Sequence, residues 1–370
     1  MRESSGPRVM NTIPSLIDEI YEAAFIPEKW YGVLDGLASI AGAHGTALFN
    51  PTSVRTHAVI SPALADMTQK MLVEGWADRN TRAEKLLTIE HDGFIDEADY
   101  FTEEDTRTQP IFTEVIKPLG YGFGAHTFIR APSGDAIIVA IEKKAVTGPV
   151  TRGAIATLDT LRPHLARSAL MSSRLEFERI NAAVEALQMT GLPAAVLRHD
   201  GRVLAANRLL EGFSPQVTII ANDVVRFDHG PANQLLAGSL ELARRGGILT
   251  SRSFPLPRTE VAPPAVVHLV PVRGNACDIF LGASHFVVVT PIDRSRVPNA
   301  ETIQGLFDLT PAEARVARSL GAGNDVVATA QQLGVSPETV RSHVKAILSK
   351  SGMTRQTDFV AAITSVRTIP

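Results

Sequence analysis

The chain has 370 residues, 45% of them hydrophobic and 20% charged, with a formal net charge of −3. At roughly 150 residues per domain the length corresponds to about two and a half domains, and the composition excludes a wholly disordered chain. A protein that coats nucleic acid along its whole length is strongly basic, so any contact of that kind is local here. The single cysteine, Cys277, excludes an intrachain disulfide and Cys-rich zinc sites, and points to a reducing compartment. No apolar run reaches the roughly 18 residues of a membrane helix, and MRESSGPRVM has no apolar core of a secretion signal. The expectation is a soluble, cytoplasmic chain without a membrane partner.

In chain order, residues 11–165 read as mixed α and β. Ile13, Leu16, Ile17, Ile20 and Ala24 fall at helical spacing. Trp30, Leu34, Leu37, Ile40 and Ala41 do the same after Pro27, a helix starter. Thr46–Phe49 and His57–Ile60 predict short strands, residues 63–76 a helix, and Gly122–Arg130 and Asp135–Ile141 a hairpin turned by Ala-Pro-Ser-Gly.

Residues 151–189 contain no Gly after Gly153 and no Pro after Pro163, which predicts one long helix with a kink near Pro163. Such a helix serves as a dimer seam or domain connector, or packs on its own domain. Residues 190–296 are strand-rich. Ala194–Arg198 and Val203–Ala206 flank Asp200-Gly201, a tight hairpin turn; residues 232–246 read helical, and Val266–Val272 and Phe286–Pro291 are strands. The loop between those strands carries Gly274, Asn275 and Gly282, and Arg294–Ala300 reads as a linker.

From residue 301 to 367 the texture changes to short helices. Thr310-Pro311-Ala312-Glu313 has the order of a capping box, with Val316, Ala317 and Leu320 behind it and Gly321 and Gly323 as the stop. Asp325 caps the next helix, whose apolar face holds Val327, Ala330 and Leu333; Gly334 ends it. Ser336-Pro337-Glu338-Thr339 starts a third, Gly352 ends it, and Thr354 caps a fourth. Two short helices, a tight turn and a longer helix form the helix-turn-helix pattern. In the third helix Val340, Val344, Ile347 and Leu348 face inward, and Arg341, Ser342, Lys345 and Ser349 face out. A small, polar, cationic outer face suits a major groove lined by acceptors and phosphates.

L-T-P-A-E at 309–313, A-x-x-L-G-V-S at 330–336, T-V-R-S-H-V-K-A-I at 339–347 and K-S-G at 350–352 resemble the LuxR-type (NarL/FixJ-like) helix-turn-helix of bacterial transcription factors. The resemblance implies a four-helix domain whose third helix enters the major groove of double-stranded DNA. By position, Arg341, Ser342 and Lys345 resemble base-facing residues, Thr339 and His343 resemble backbone contacts, and Lys350 completes the DNA-binding set. Ala328 and Thr329 stand where the family has an acidic residue and Ile, and Gln356 where an Arg opens the fourth helix. A frequent internal ion pair is thereby put in doubt, leaving packing to carry the domain.

Residues 190–213 resemble the opening of a PAS domain, with Asn207 at the helix start, and residues 11–165 resemble GAF-like sensor domains. The fold class is therefore α+β: mixed sensor domains with antiparallel sheets, then an all-α helix-turn-helix. The resemblance implies a homodimer, RNA polymerase as a further partner, and a small-molecule ligand whose identity the sequence does not give. No cofactor or metal is implied. Strands in hairpins argue against a phosphorylated receiver, and Cys277 in a loop argues against flavin photochemistry. The ten His lack metal spacing, and His126 and His268 read as core histidines. Gly120–Gly124 is no P-loop and Gly282–His285 no nucleophile elbow, so an enzyme is not expected. Trp76 and Asp78 only partly match the pocket residues of acyl-homoserine-lactone receptors. Trp76 reads as core and Asp78 as the cap of a helix near Asn80. The alternative to a DNA-binding regulator is a signalling or scaffold protein whose helical domain binds protein.

Overall fold

The computed structural model describes residues 12–51, 58–130, 136–245, 249–260, 262–272, 282–292 and 297–366. The readings on MRESSGPRVM, His57, the Ala-Pro-Ser-Gly turn, Gly274, Asn275, Cys277 and Arg294 fall outside these residues. Architecture is α+β: antiparallel sheets upstream and a helical domain at the C-terminus. Among the described residues no helix is long and apolar enough to cross a membrane.

The first unit opens with α1 (Ile13–Ala23) and α2 (Trp30–Ala41), then β1 (Gly45–Phe49) and β2 (Ala58–Ile60). Pro27 starts a 3-10 turn that leads into α2. The helix expected over 63–76 is broken instead. A 3-10 turn at Pro62–Leu64, the short α3 (Ala65–Thr68) and a π-helical turn at Gln69–Val73 follow one another, and Gly75 stops them at φ 79°. Next come α4 (Thr81–Leu87), β3 (Ile95–Asp96), α5 (Glu103–Thr108) and a second π-helical turn at Ile111–Ile116. The hairpin of β4 (Tyr121–Arg130) and β5 (Ala136–Lys144) completes a five-stranded antiparallel sheet, order β2-β1-β5-β4-β3. One face packs on α1, α2 and the start of the long helix through Leu16, Ile20, Leu34, Leu48, Val139 and Ile141. The other face carries a second core around Leu64, Trp76, Leu86, Ile111 and Val115.

The long helix, α6 (Arg152–Met189), runs 38 residues, about 57 Å at 1.5 Å per residue, and Pro163 lies inside it. Thr151 caps it by accepting from Ala154 N at 3.2 Å. Its first half buries Leu158, Leu161 and Leu165 against the first sheet, and Ser168 Oγ donates to Ile20 O of α1 at 2.6 Å. Further on, Ile180 and Val184 pack with Val196 and Ala283 of the second sheet. It thus packs on the first sheet and continues onto the second.

The next region runs β6 (Ala194–Arg198), β7 (Val203–Ala206), α7 (Arg208–Glu211), β8 (Val217–Ile220) and β9 (Val224–Phe227), which form a separate two-stranded sheet, α8 (Gly230–Arg244), β10 (Arg252–Leu256), β11 (Ala265–Pro271) and β12 (Ala283–Pro291). Gly201 makes the Asp-Gly turn at φ 85°. Buried Asn207 caps α7 by accepting from Leu210 N at 3.1 Å, and also accepts from Ala194 N and donates to Leu192 O, so one amide locks strand entry to helix start. The order β10-β11-β12-β6-β7 matches that of the first sheet when both are numbered from their own first strand.

The last region holds α9 (Ala300–Phe307), α10 (Pro311–Gly321), α11 (Val326–Leu333), α12 (Pro337–Ser351) and α13 (Gln356–Ser365). Helices α10–α13 are the four expected. The additional α9 buries Ile303 and sets Phe307 against Phe359, ring centroids 5.2 Å apart. Val327, expected inside α11, is 51% exposed. The inward stripe is instead Val326, Thr329, Ala330 and Leu333, the i, i+3, i+4, i+7 set. Thr354 does not cap α13; Arg355 occupies the N-cap position without a side-chain bond.

Candidate functional site

Helix α12 begins where Ser336 Oγ accepts from Thr339 N at 3.1 Å, with Pro337 in its first turn. Gly334, at φ 69°, ends α11 and turns the chain toward it. Val340 and Ile347 are buried, and Val344 and Leu348 pack on the same core. That anchoring leaves Thr339, Arg341, Ser342 and Lys345 exposed on the outer side, with His343 half-buried at its edge. Arg341 Nη1 donates to Glu338 Oε2 at 2.7 Å, a pair whose side chains are 60% and 82% exposed. The hydroxyls of Thr339 and Ser336 lie 2.8 Å apart.

Lys350 is placed differently. Its Nζ donates to Glu313 Oε2 at 2.8 Å, and Thr310 N donates to the same oxygen at 2.7 Å. The Lys350 ammonium, then the Thr310 amide, hold the Glu313 carboxyl below the ordinary glutamate range. This ion pair joins α10 and α12, whereas Ala328 and Gln356, uncharged, form none. Thr329, which stands where the family has Ile, is buried in a hydroxyl–amide network. Ser319 Oγ lies 3.0 Å from Thr329 Oγ1 and donates to Gln332 Oε1 at 2.8 Å, while Asn324 Nδ2 donates to both Ser319 and Gln332.

A second candidate site lies on the first sheet. A cavity of about 120 Å³ opens on the face away from α1 and α2. Apolar side chains such as Phe49, Leu64, Met67, Leu86 and Ile138 make most of its wall, and Arg82, His126 and Glu142 line its polar part. Both π-helical turns contribute, through Met71 and Leu72 and through Ile111 and Ile116. Such turns are rare and concentrate at functional sites. Buried Arg82 forks onto two glutamates. Nε and Nη2 donate to Glu97 at 2.5 and 2.7 Å, and Nη1 and Nη2 to Glu142 at 2.9 and 3.0 Å. Burial pushes the Glu97 carboxyl up, but Arg82 and then His126 more than reverse this and hold it at about 2.

Of the histidines read as core, His126 is buried in this cluster, whereas His268 is half-buried beside Ser253 Oγ at 2.8 Å. Trp76 is core. Asp78 is not a cap; Asn80 caps α4, accepting from Ala83 N at 3.1 Å. Among the described residues no group of metal-ligating side chains gathers.

Residues 308–362 match the family described as bacterial regulatory proteins, luxR family, so this segment is a luxR-family helix-turn-helix domain, a DNA-binding module. No curated protein matches the chain. Similar solved structures include the phage VqmA–DPO complex, 16% identical over 52% of this chain and 89% of that one, TM-score 0.25. Escherichia coli SdiA is 11% identical over 96% and 92%, TM-score 0.25. The Escherichia coli DhaR(N)–DhaL complex is 11% identical over 78% and 92%, TM-score 0.22.

Proposed function

We propose that the chain is a sequence-specific transcriptional regulator whose sheet-bearing regions sense a ligand or partner and control its helix-turn-helix. The observation that carries this reading is α12: four polar or cationic side chains exposed on one side of a helix anchored by buried Val340 and Ile347. Arg341, Ser342 and Lys345 read base edges; Thr339 and His343 contact the backbone and position the helix. Lys350 keeps two of its three ammonium donors for a phosphate while one holds Glu313.

The active form is a homodimer, because two reading heads about one helical turn apart match a pseudo-symmetric operator. Helix α6, packed on both sheets, is the element that transmits a change in sensor arrangement by shifting populations. The experiment is a titration of the full chain with duplex DNA at several salt concentrations. A regulator loses affinity with salt, at a slope near −0.9 per neutralised phosphate. Absence of duplex binding at low salt would favour a protein-binding scaffold. Sedimentation of the chain with and without DNA tests the dimer; a strict monomer in both contradicts it.

A further inference from the structure

The first sheet arranges its cavity-facing residues in rows. The pairs Ile60–Ala47, Ala47–Ala140, Ala140–His126 and His126–Ile95 run one row across all five strands. Two alanines at its centre leave the hollow. Phe49, Ile138 and Phe128 form the row on one side and close an apolar end. On the other side the row is Gly45, Glu142 and Gly124. A methyl group at Gly124 would lie 2.8 Å from His126 Nε2 and 3.0 Å from Arg82 Nη2. The glycine is thus what lets the charged cluster sit against the sheet.

Arg82 supplies one cation against Glu97 and Glu142. His126 Nε2 lies 3.0 Å from Arg82 Nη2 and 3.7 Å from Glu97 Oε2. Lys143, next along β5, reaches away to Ala41 O at 3.1 Å. Two carboxylates thus share one guanidinium at the end of an apolar cavity, an arrangement that costs stability and is weak evidence for a merely structural role.

We propose that this cavity binds a small molecule about one ring in size, apolar in body and headed by a hydrogen-bond donor, above all a protonated amine, held by Glu142. The volume of about 120 Å³ is near the roughly 150 Å³ of an engineered cavity that holds benzene. A carboxylate or phosphate head is rejected: it meets Glu142, and Arg82 already uses Nε, Nη1 and Nη2 on its glutamates. This inference rests on the sensor reading and gives that site its ligand chemistry.

The test uses the full chain and three matched probes: 2-phenylethylamine, 2-phenylethanol and phenylacetate. Binding is followed by ligand-observed NMR and thermal melting. The amine is expected to bind at least tenfold tighter than the alcohol, and phenylacetate not at all. Ala140→Leu fills the hollow and should weaken the amine at least tenfold with circular dichroism unchanged. Glu142→Gln should weaken the amine and spare the alcohol; if it does not fold, Ala140→Leu and the probe series decide. Phenylacetate binding as well as the amine, no binding by any probe, or amine binding indifferent to Ala140→Leu overturns the proposal. Duplex binding by the same samples separates the two readings. Retained DNA binding without amine binding overturns this inference alone, whereas amine binding without DNA binding overturns the regulator.

Discussion

Arg82 in the first sheet unit and Arg341 on helix α12 both bond glutamate, under opposite conditions. Arg82 is buried, and two forks fix it on Glu97 and Glu142. Arg341 is 60% exposed and makes one bond to an exposed Glu338 three residues back. Releasing Arg82 strands two carboxylates away from water, so the cluster holds one geometry. Releasing Arg341 costs almost nothing, because water takes over both partners. The same residue type thus builds a fixed wall in one region and an exchangeable hand in the other.

The largest effect is expected where the buried side of this comparison is broken. Arg82→Met should destabilise the first unit by about 3–5 kcal/mol, the cost of leaving buried charges unpaired. Both tryptophans, Trp30 and Trp76, lie in the cores of that unit, so tryptophan emission during urea unfolding reports on it selectively. A loss under about 1 kcal/mol would mean the carboxylates find water or protons easily.

The pH dependence follows with a definite sign. Glu97 is held down at about 2, so its contribution is full above the ordinary glutamate range and is lost only as pH falls toward about 2. The tryptophan signal should therefore persist well into acid, and Arg82→Met should move its midpoint upward. Glu313, also held below its ordinary range, acts with the same sign in the helical domain. Lys350→Met should cost about 1 kcal/mol there at neutral pH, read by far-ultraviolet circular dichroism of the melt, and less as Glu313 is protonated. The smallest effect belongs to the exposed pair: Glu338→Gln should change stability by no more than about 0.5 kcal/mol in the same melt.

Why one region was legible in the sequence and the other was not follows from the range of the signals. The helical domain is punctuated locally. Thr310 and Glu313 cap each other, Ser336 caps α12, and Gly334 and Gly352 stop their helices, all within a few residues. One of its misses, Val327 for Val326, is a one-residue rotation on a short helix with apolar residues at both positions. The cavity cluster has no local signature. Glu97 and Glu142 stand 15 and 60 residues from Arg82, and only the register of β4 and β5 brings His126 and Glu142 beside it. His126 could be read as buried, but not as bonded to arginine. Strand β3 is two residues long, below any periodic signal. The β8–β9 hairpin, by contrast, carried a usable one: Asn222 and Asp223, at φ 65° and 58°, turn between two β-branched runs.

The most direct test of the account is a binding titration of the parent, Arg341→Ala and Lys345→Ala chains on two duplexes, one selected by the parent from random sequence and one scrambled. Each side chain lost from a base edge removes ~1–3 kcal/mol of discrimination. Affinity for the selected duplex should then fall roughly ten- to a hundredfold, at about 1.4 kcal/mol per tenfold. The scrambled duplex should lose much less, and circular dichroism should be unchanged because both residues are exposed. If both variants bind the selected duplex like the parent, α12 does not read DNA.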